Sequence, residues 1–361
     1  MKLAAGLTLL VGCGHGEPFD VSRPEQQPGP FQDAVPLRLT FNLGFDSWPS
    51  WSADGSALWY SAELATSDLD RCIARLPARG GTRAEIQCPL EAANGFSEGL
   101  EQPASDGSRL AWARSEVDTA QLGPYRFTLW VAPLAARATP TLVQTFPYQA
   151  PSGRPHDAPL YLQWLRPGVL LYLGAENGCC GSDTLRFGEQ VVLLDLTGPT
   201  PSRSFVPGTT RASAVARSED GLAIYYTLYG DSRVYRQVLA TGEVTVLYDF
   251  GAGHIARDPD VSGTRLVAVI DGKPDSQAIT PFGLVQVDHG GDLMVVDLTT
   301  GVGTRVLDAE RWYKHPRFAP GGTRLVAEGW PFTIVSTPIG GGVFRIDTVL
   351  ARSDDLWIRE E

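Results

Sequence analysis

One short pattern occurs six times along this chain: a short strand, a tight turn that closes on glycine, and a second, strongly apolar strand. The first copy reads Asp-Ser-Trp-Pro-Ser-Trp-Ser-Ala-Asp-Gly over 46–55, and the last reads His-Pro-Arg-Phe-Ala-Pro-Gly-Gly over 315–322. The four copies between them have their turn glycines at Gly107, Gly168, Gly221 and Gly263. Repetition of one turn chemistry at intervals predicts a repeat architecture, in which each copy buries its apolar face against its neighbours.

A third strand, closing on a second turn, follows most copies. Clear examples begin at Thr128, Val191, Arg233 and Asp292, and the residues after them supply a fourth strand. Four antiparallel strands per unit, repeated six times, are typical of the blades of a β-propeller. The high content of turn-forming residues, with 39 glycines and 27 prolines, agrees with many short strands joined by tight turns.

The copies resemble the repeats of TolB-type propellers, whose consensus turn is Pro-x-Trp-Ser-Pro-Asp-Gly. Matching residues in the first copy are Pro49, Trp51, Ser52, Asp54 and Gly55. The resemblance covers roughly 36–361 and implies an all-β, six-bladed propeller with four antiparallel strands per blade. The fourth copy departs from the consensus because neither proline nor tryptophan precedes its Asp-Gly turn.

Ring closure is predicted from the two ends of the repeat region. The last copy reaches its third strand at 354–359 and has no residues left for a fourth. The segment from Pro36 to Phe41, before the first copy, has the Arg-Leu-Thr pattern of a fourth strand. We therefore expect the N-terminal strand to complete the last blade, which removes an exposed sheet edge.

The first residues predict export. One lysine, a short apolar run and a small residue precede Cys13, and the run is too short to span a bilayer. The sequence from Leu10 to Cys13 resembles the lipobox of bacterial lipoproteins, which implies cleavage before Cys13 and a lipid on that residue. An ordinary signal peptide with an incidental cysteine is the alternative. Gly14 stands where many lipoproteins retained at the inner membrane have aspartate, so the resemblance implies the outer membrane, on its periplasmic side or at the surface.

Three segments follow from these observations. Residues 1–12 are predicted to be a lipoprotein signal peptide, 13–35 a flexible tether and 36–361 the propeller. The formal net charge of −11 argues against nucleic acid as a partner. We expect a monomer that reaches the membrane through its lipid anchor only and uses no cofactor or metal.

The cysteines agree with an oxidising compartment, because four remain once Cys13 is set aside. Cys72 and Cys88 lie eight residues on either side of Gly80, so a hairpin that turns there brings them together as a disulfide. Cys179 and Cys180 are then left to each other. They are predicted to form a vicinal disulfide with each other. The alternatives are that both stay reduced or that they pair elsewhere.

The lengths of the connections distinguish the two faces of the propeller. Turns between first and second strands are short, whereas four of the connections between second and third strands are long, which favours binding on the face with the long loops. Polar and aromatic residues that precede the innermost strands are predicted to line the channel mouth on this face. They are Asp46, Glu98, His156, Asp157, His254, Arg257, Tyr313, Lys314 and His315.

No catalytic motif accompanies the repeat: the sequence has no Gly-x-Ser-x-Gly elbow, no His-Glu-x-x-His and no phosphate-binding loop. We therefore expect a binding or scaffolding module of the cell envelope, engaging an unidentified protein, peptide or glycan through its loop-rich face. The alternative is a propeller-type periplasmic enzyme, a lyase or hydrolase, with its site at the channel mouth.

Overall fold

A computed structural model describes residues 37–40, 45–64, 67–88, 96–118, 125–134, 139–146, 159–175, 189–271, 276–280, 283–287, 290–306, 311–340, 343–350 and 355–360. These residues form a six-bladed β-propeller of the predicted class, in which each blade is an antiparallel sheet of four strands.

The first strand of every blade is its innermost, and the chain moves outward through the blade. Strands of the closing segment and of blades 1 to 3 are β1 (Leu37–Arg38), β2 (Asp46–Trp51), β3 (Ala57–Leu64), β4 (Ser67–Pro77), β5 (Ala84–Gln87), β6 (Phe96–Ser105), β7 (Arg109–Asp118), β8 (Tyr125–Pro133), β9 (Thr141–Thr145), β10 (Leu160–Arg166), β11 (Val169–Ala175), β12 (Glu189–Asp195) and β13 (Ser202–Phe205). Strands of blades 4 to 6 are β14 (Ala212–Arg217), β15 (Ala223–Leu228), β16 (Arg233–Val238), β17 (Val244–Asp249), β18 (Ala256–Ser262), β19 (Arg265–Ile270), β20 (Ser276–Thr280), β21 (Gly283–Val287), β22 (Asp292–Asp297), β23 (Val302–Arg305), β24 (Arg311–Phe318), β25 (Arg324–Gly340), β26 (Val343–Leu350) and β27 (Asp355–Glu360).

The predicted ring closure is confirmed. Blade 6 has the order β1-β27-β25-β24, so its outermost strand comes from the N-terminal end of the repeat region. Leu37 pairs with Ile358 and Arg38 with Trp357, and the amide of Leu39 donates to the carbonyl of Leu356 at 2.7 Å. The Leu39 side chain is completely buried in the cluster between blades 6 and 1.

The apolar core is divided among the blade interfaces. In the described part of the chain, one cluster of buried side chains lies between each pair of neighbouring blades. Trp51, Trp59, Trp112 and Trp164, which the pattern places in first and second strands, are all in these clusters. Burial between blades stabilises the ring because each sheet has two apolar faces to cover.

Two predicted loops contain regular structure. The connection in blade 5 includes the hairpin β20–β21, and in blade 6 β25 continues to Gly340 and pairs with β26 as a two-stranded ribbon. From the repeat pattern alone, the second strand of blade 6 is predicted to end near Glu328. It runs on because alternating β-branched and aromatic residues flank a glycine run at 340–342, which is itself a hairpin pattern.

The short turns between first and second strands touch one another around the ring. A Cβ on Gly55 would meet Pro320 of blade 6, and one on Gly107 would meet Ala53 of blade 1. At Gly221 the backbone has a φ of +67°, and an added Cβ would lie 2.4 Å from the Leu165 carbonyl oxygen. Glycine is required there by both the backbone conformation and the space.

The predicted Cys72–Cys88 disulfide is present. It joins the end of β5 to the buried part of β4 in blade 1. The bridge therefore ties the outermost strand of that blade to its neighbour.

Candidate functional site

Each innermost strand has a bulge, where the pairing with the second strand changes register. In five blades a non-glycine residue with positive φ occupies the bulge. These residues are Trp48, Gln102, Tyr161, Asp258 and His315. Such residues cost about 1–3 kcal/mol each and tend to cluster at functional sites. The bulges lie on the innermost strands, which surround the channel.

Side chains at and beyond the bulges link one innermost strand to the next. Gln102 donates to the carbonyl of Pro159 at 2.6 Å and accepts from the amide of Leu162 at 3.2 Å. Gln163 donates to the carbonyl of Val215 and accepts from the Arg217 amide in the same way. These bonds satisfy backbone groups of innermost strands, which have a neighbouring strand of their own blade on one side only.

A cluster of ionisable and aromatic groups lies where side chains from blades 1, 3, 5 and 6 meet. The His315 ring stacks on Trp48, with centroids 3.6 Å apart, and lies edge-on to Tyr161 at 5.7 Å. The Tyr161 hydroxyl donates to Asp258 Oδ1 at 2.5 Å, and the His315 amide donates to Asp258 Oδ2 at 3.1 Å. One buried carboxylate and two aromatic rings thus hold the histidine backbone and ring in place.

Glu328, from the second strand of blade 6, fixes the other side of this histidine. Its Oε1 lies 2.6 Å from His315 Nδ1 and accepts the Trp48 amide at 2.5 Å, while Oε2 lies 3.5 Å from Lys314 Nζ. Burial by itself raises the pKa of Glu328. Electrostatic attraction to His315 and Lys314, together with the hydrogen bonds, outweighs this and lowers the pKa to about 2.

A cavity of about 400 Å³ occupies the channel between the bulges and the short turns. Trp48, Gln102, Tyr161 and His315 lie at its inner end, and the turn residues Ala53 and Pro320 are among those at its rim. The size is that of small-molecule and peptide side-chain sites. Its opening lies on the short-turn face, opposite the loop-rich face.

Of the predicted channel-mouth residues, His315 lines this cavity. Asp46 and Tyr313 are buried in the body of the propeller, and Lys314 lies over the Trp330 ring at 4.9 Å. The other two with described side chains are in blade 5. His254 Nδ1 lies 2.7 Å from Asp271 Oδ1, and Arg257 donates to the Gly290 carbonyl at 3.1 Å.

The remaining predicted sites lie wholly or partly outside the described residues. Cys13, His156, Asp157, Cys179 and Cys180 are outside them, and Glu98 is described only as a backbone position in β6. Among the described side chains, the one group of three candidate metal ligands is Cys72, Glu85 and Cys88, and its two cysteines form the disulfide.

Sequence reasoning did not identify Trp48, Gln102, Tyr161 and Asp258 as channel residues. A signal was present, since Trp48, Gln102 and Asp258 each directly precede a proline, as His315 does. An X-Pro dipeptide at one repeat position marks irregular backbone inside a strand, because proline lacks the amide that the ladder needs.

No family model and no curated protein matches this chain. Solved structures do match. Against TolB from Acinetobacter baumannii the identity is 13%, the alignment covers 85% of this chain and 64% of that one, and the TM-score is 0.53. The chain has the TolB-like six-bladed propeller fold. It spans less than two thirds of that TolB chain, and at this identity the likeness shows the fold alone.

Two further matches have TM-scores below 0.5. A putative TolB from Agrobacterium tumefaciens is 14% identical, with 88% and 91% of the two chains covered and a TM-score of 0.47. An oligogalacturonate lyase in complex with manganese is 14% identical, with 88% and 77% covered and a TM-score of 0.45. In the described part of this propeller, no helix is long and apolar enough to cross a membrane.

Proposed function

We propose that this protein is an exported, lipid-anchored binding module of the cell envelope, and that its central cavity receives the ligand from the short-turn face. The observation that carries the proposal is the 400 Å³ cavity, with its aromatic inner end and polar walls, at the centre of a rigid ring. Concave sites with a few fixed polar groups are where proteins bind ligands. A segment of a protein, a peptide or a glycan fits this description.

Strained backbone supports the same site. Four of the five positive-φ bulge residues line the cavity, and their conformations are held by hydrogen bonds between blades. A ring that stabilises such conformations is already organised for a ligand, so binding loses little conformational entropy.

The anchor hypothesis also bears on the orientation of the cavity. Strand β1 enters blade 6 from the short-turn face, because Leu37 pairs nearer that face than Arg38 does. A lipid on Cys13 therefore attaches the propeller to the membrane on the cavity side. A flexible tether of the predicted length has a root-mean-square span of roughly 25 Å, which leaves room for a ligand between cavity and membrane.

A pair of exposed alanines tests the site. Ala53 lies at the cavity rim, whereas Ala252 lies in the link between blades 4 and 5 on the loop-rich face. A photo-crosslinking amino acid at each position, activated in intact cells, maps the face that the ligand contacts. We expect a specific adduct from position 53 and not from 252, and the reverse result refutes the cavity as the site. It instead supports the prediction that the loop-rich face binds.

The anchor is tested separately. Cys13→Ala should move the protein from the membrane to the soluble fraction of the envelope, with an unchanged melting temperature. Retention of the variant in the membrane fraction contradicts the lipid anchor.

A catalytic function has one observation in its favour. Glu328 holds His315 Nδ1, and Nε2 has no hydrogen-bond partner among the described residues, although the side chain lines the cavity. A carboxylate-oriented histidine of this kind can act as a general base. If the captured ligand is converted by the wild-type protein and remains intact with His315→Gln, the propeller is an enzyme.

A further inference from the structure

The cavity walls contain three arginines and three acids, and the two sets differ in the partners that the protein itself provides. Asp106 accepts two hydrogen bonds from Arg109, at 2.9 and 3.1 Å. Glu219 accepts one from the Ser262 hydroxyl, and Asp260 accepts the Phe318 amide at 2.7 Å. Every acid is therefore engaged by a donor of the protein itself.

None of the three arginines is paired with an acid in the described part of the chain, and Arg166 is exposed. Arg217 and Arg317 are half-buried at the ends of the innermost strands of blades 4 and 6. Their side chains donate only to backbone carbonyls, Arg217 to Glu219 at 3.1 Å and to Ser218, and Arg317 to Pro316 at 2.9 Å. Within the described part of the chain, neither guanidinium lies within 4.0 Å of a carboxylate. Each retains several N–H donors, in the planar arrangement that matches a carboxylate.

Asp260 of blade 5 does not supply the missing partner. Burial raises the pKa of its carboxyl group, and the attraction of Arg317 and Arg217 opposes this only in part. Both guanidinium groups are thus close enough to Asp260 to lower its pKa, yet neither forms an ion pair with it. Partly buried charges without partners are costly unless a ligand supplies the counter-charge.

We propose that Arg217 and Arg317 bind a carboxylate group of the ligand, while Trp48 and Tyr161 at the inner end of the cavity contact its apolar part. This proposal rests on the proposed function, since it assigns a chemical class to the ligand of the same cavity. Guanidinium groups suit the role because they form paired, charge-assisted hydrogen bonds with carboxylates.

The test uses two probes that differ only in charge. N-acetyltryptophan has an indole and a carboxylate, and N-acetyltryptophanamide replaces the carboxylate with a neutral amide. Dissociation constants are measured by ligand-observed NMR titration of the full propeller at low salt. We expect the acid to bind at least ten-fold more tightly than the amide, and this advantage to disappear in both Arg217→Gln and Arg317→Gln.

Arg203→Gln is the matched control, because Arg203 lies on the outer strand β13, away from the cavity, with its guanidinium over Phe205. It should keep the ten-fold preference, and the melting temperatures of all three variants show whether they fold. Equal binding of acid and amide overturns the carboxylate assignment but leaves the cavity as a site. Absence of binding by both probes also overturns the assignment, whereas the crosslinking from position 53 independently tests the cavity with the natural ligand.

Discussion

The contact between turns of neighbouring blades makes a quantitative prediction at Gly221. The alanine variant places a methyl group 2.4 Å from the Leu165 carbonyl oxygen of blade 3, where ordinary contact begins near 3.4 Å. The two turns must therefore separate by about 1 Å, or the new side chain must strain the backbone. Overpacking of this kind costs typically about 1–3 kcal/mol.

Backbone conformation adds a second cost, which a matched variant isolates. Gly263 occupies the equivalent turn of blade 5, with a φ of +55°, but has open space around its Cβ position. At Gly263, alanine destabilises the folded state by about 1–2 kcal/mol because of the left-handed conformation. The less flexible unfolded chain offsets roughly 0.4–1 kcal/mol of this loss. We thus expect Gly263→Ala to lose about 1 kcal/mol and Gly221→Ala about 2–4 kcal/mol.

Urea denaturation followed by tryptophan fluorescence measures both values. The slope of the unfolding free energy against urea should be the same in the two variants, so that midpoints can be compared. If Gly221→Ala is no less stable than Gly263→Ala, the turns of blades 3 and 4 do not restrain one another.

Three further perturbations have defined outcomes. Glu328→Gln should be less stable than the wild type at pH 7. The pKa of Glu328 in the folded protein, about 2, lies below the ordinary 4.5, so the wild type loses this advantage as the pH falls from about 4.5 towards 2. The difference in melting temperature between wild type and variant should therefore be smaller at pH 3 than at pH 7. An equal difference at the two pH values contradicts the stabilising role of the ionised Glu328. Deleting 36–41 should lower the melting temperature by several degrees, whereas deleting 20–30 should not, and an unchanged melt for the first deletion rules out the closing strand. Trp164→Phe removes the 3.0 Å bond from Nε1 to the Ala104 carbonyl and should cost about 1–3 kcal/mol, measured by urea denaturation; a loss below 0.5 kcal/mol would show that bond to be dispensable.

The architecture could be predicted from the sequence because the repeat records it six times. Each copy contains the same turn and the same apolar strand. An irregular copy, such as the fourth, is therefore identified by its position between regular ones. The closing strand was predictable for a related reason: the last copy lacks one strand and the segment 36–41 has no partner of its own. Both arguments need only counting and the cost of an open sheet edge.

The site was less predictable because it depends on side-chain direction at an irregular point of the strand. Asp46 and Tyr313 were expected to precede innermost strands, but they lie within β2 and β24 and are buried in the blades. The bulge changes the alternation of the strand, so the residues that reach the channel are those at the bulge. His315 was identified because it belongs both to the residues predicted to line the channel mouth and to the residues at the bulges. The cavity itself is lined by residues of all six blades, which are far apart in the sequence.

The position of β1 also determines how the propeller bears mechanical load. If Cys13 is anchored as proposed, any force on the body reaches it through Leu37 and is directed along β1, since that strand enters from the membrane side. Force parallel to a strand shears its hydrogen bonds together, whereas a perpendicular force opens them one after another. The closing strand is therefore loaded in its strong direction, and detachment from the membrane would require the bonds from Leu37 to Thr40 to fail at once.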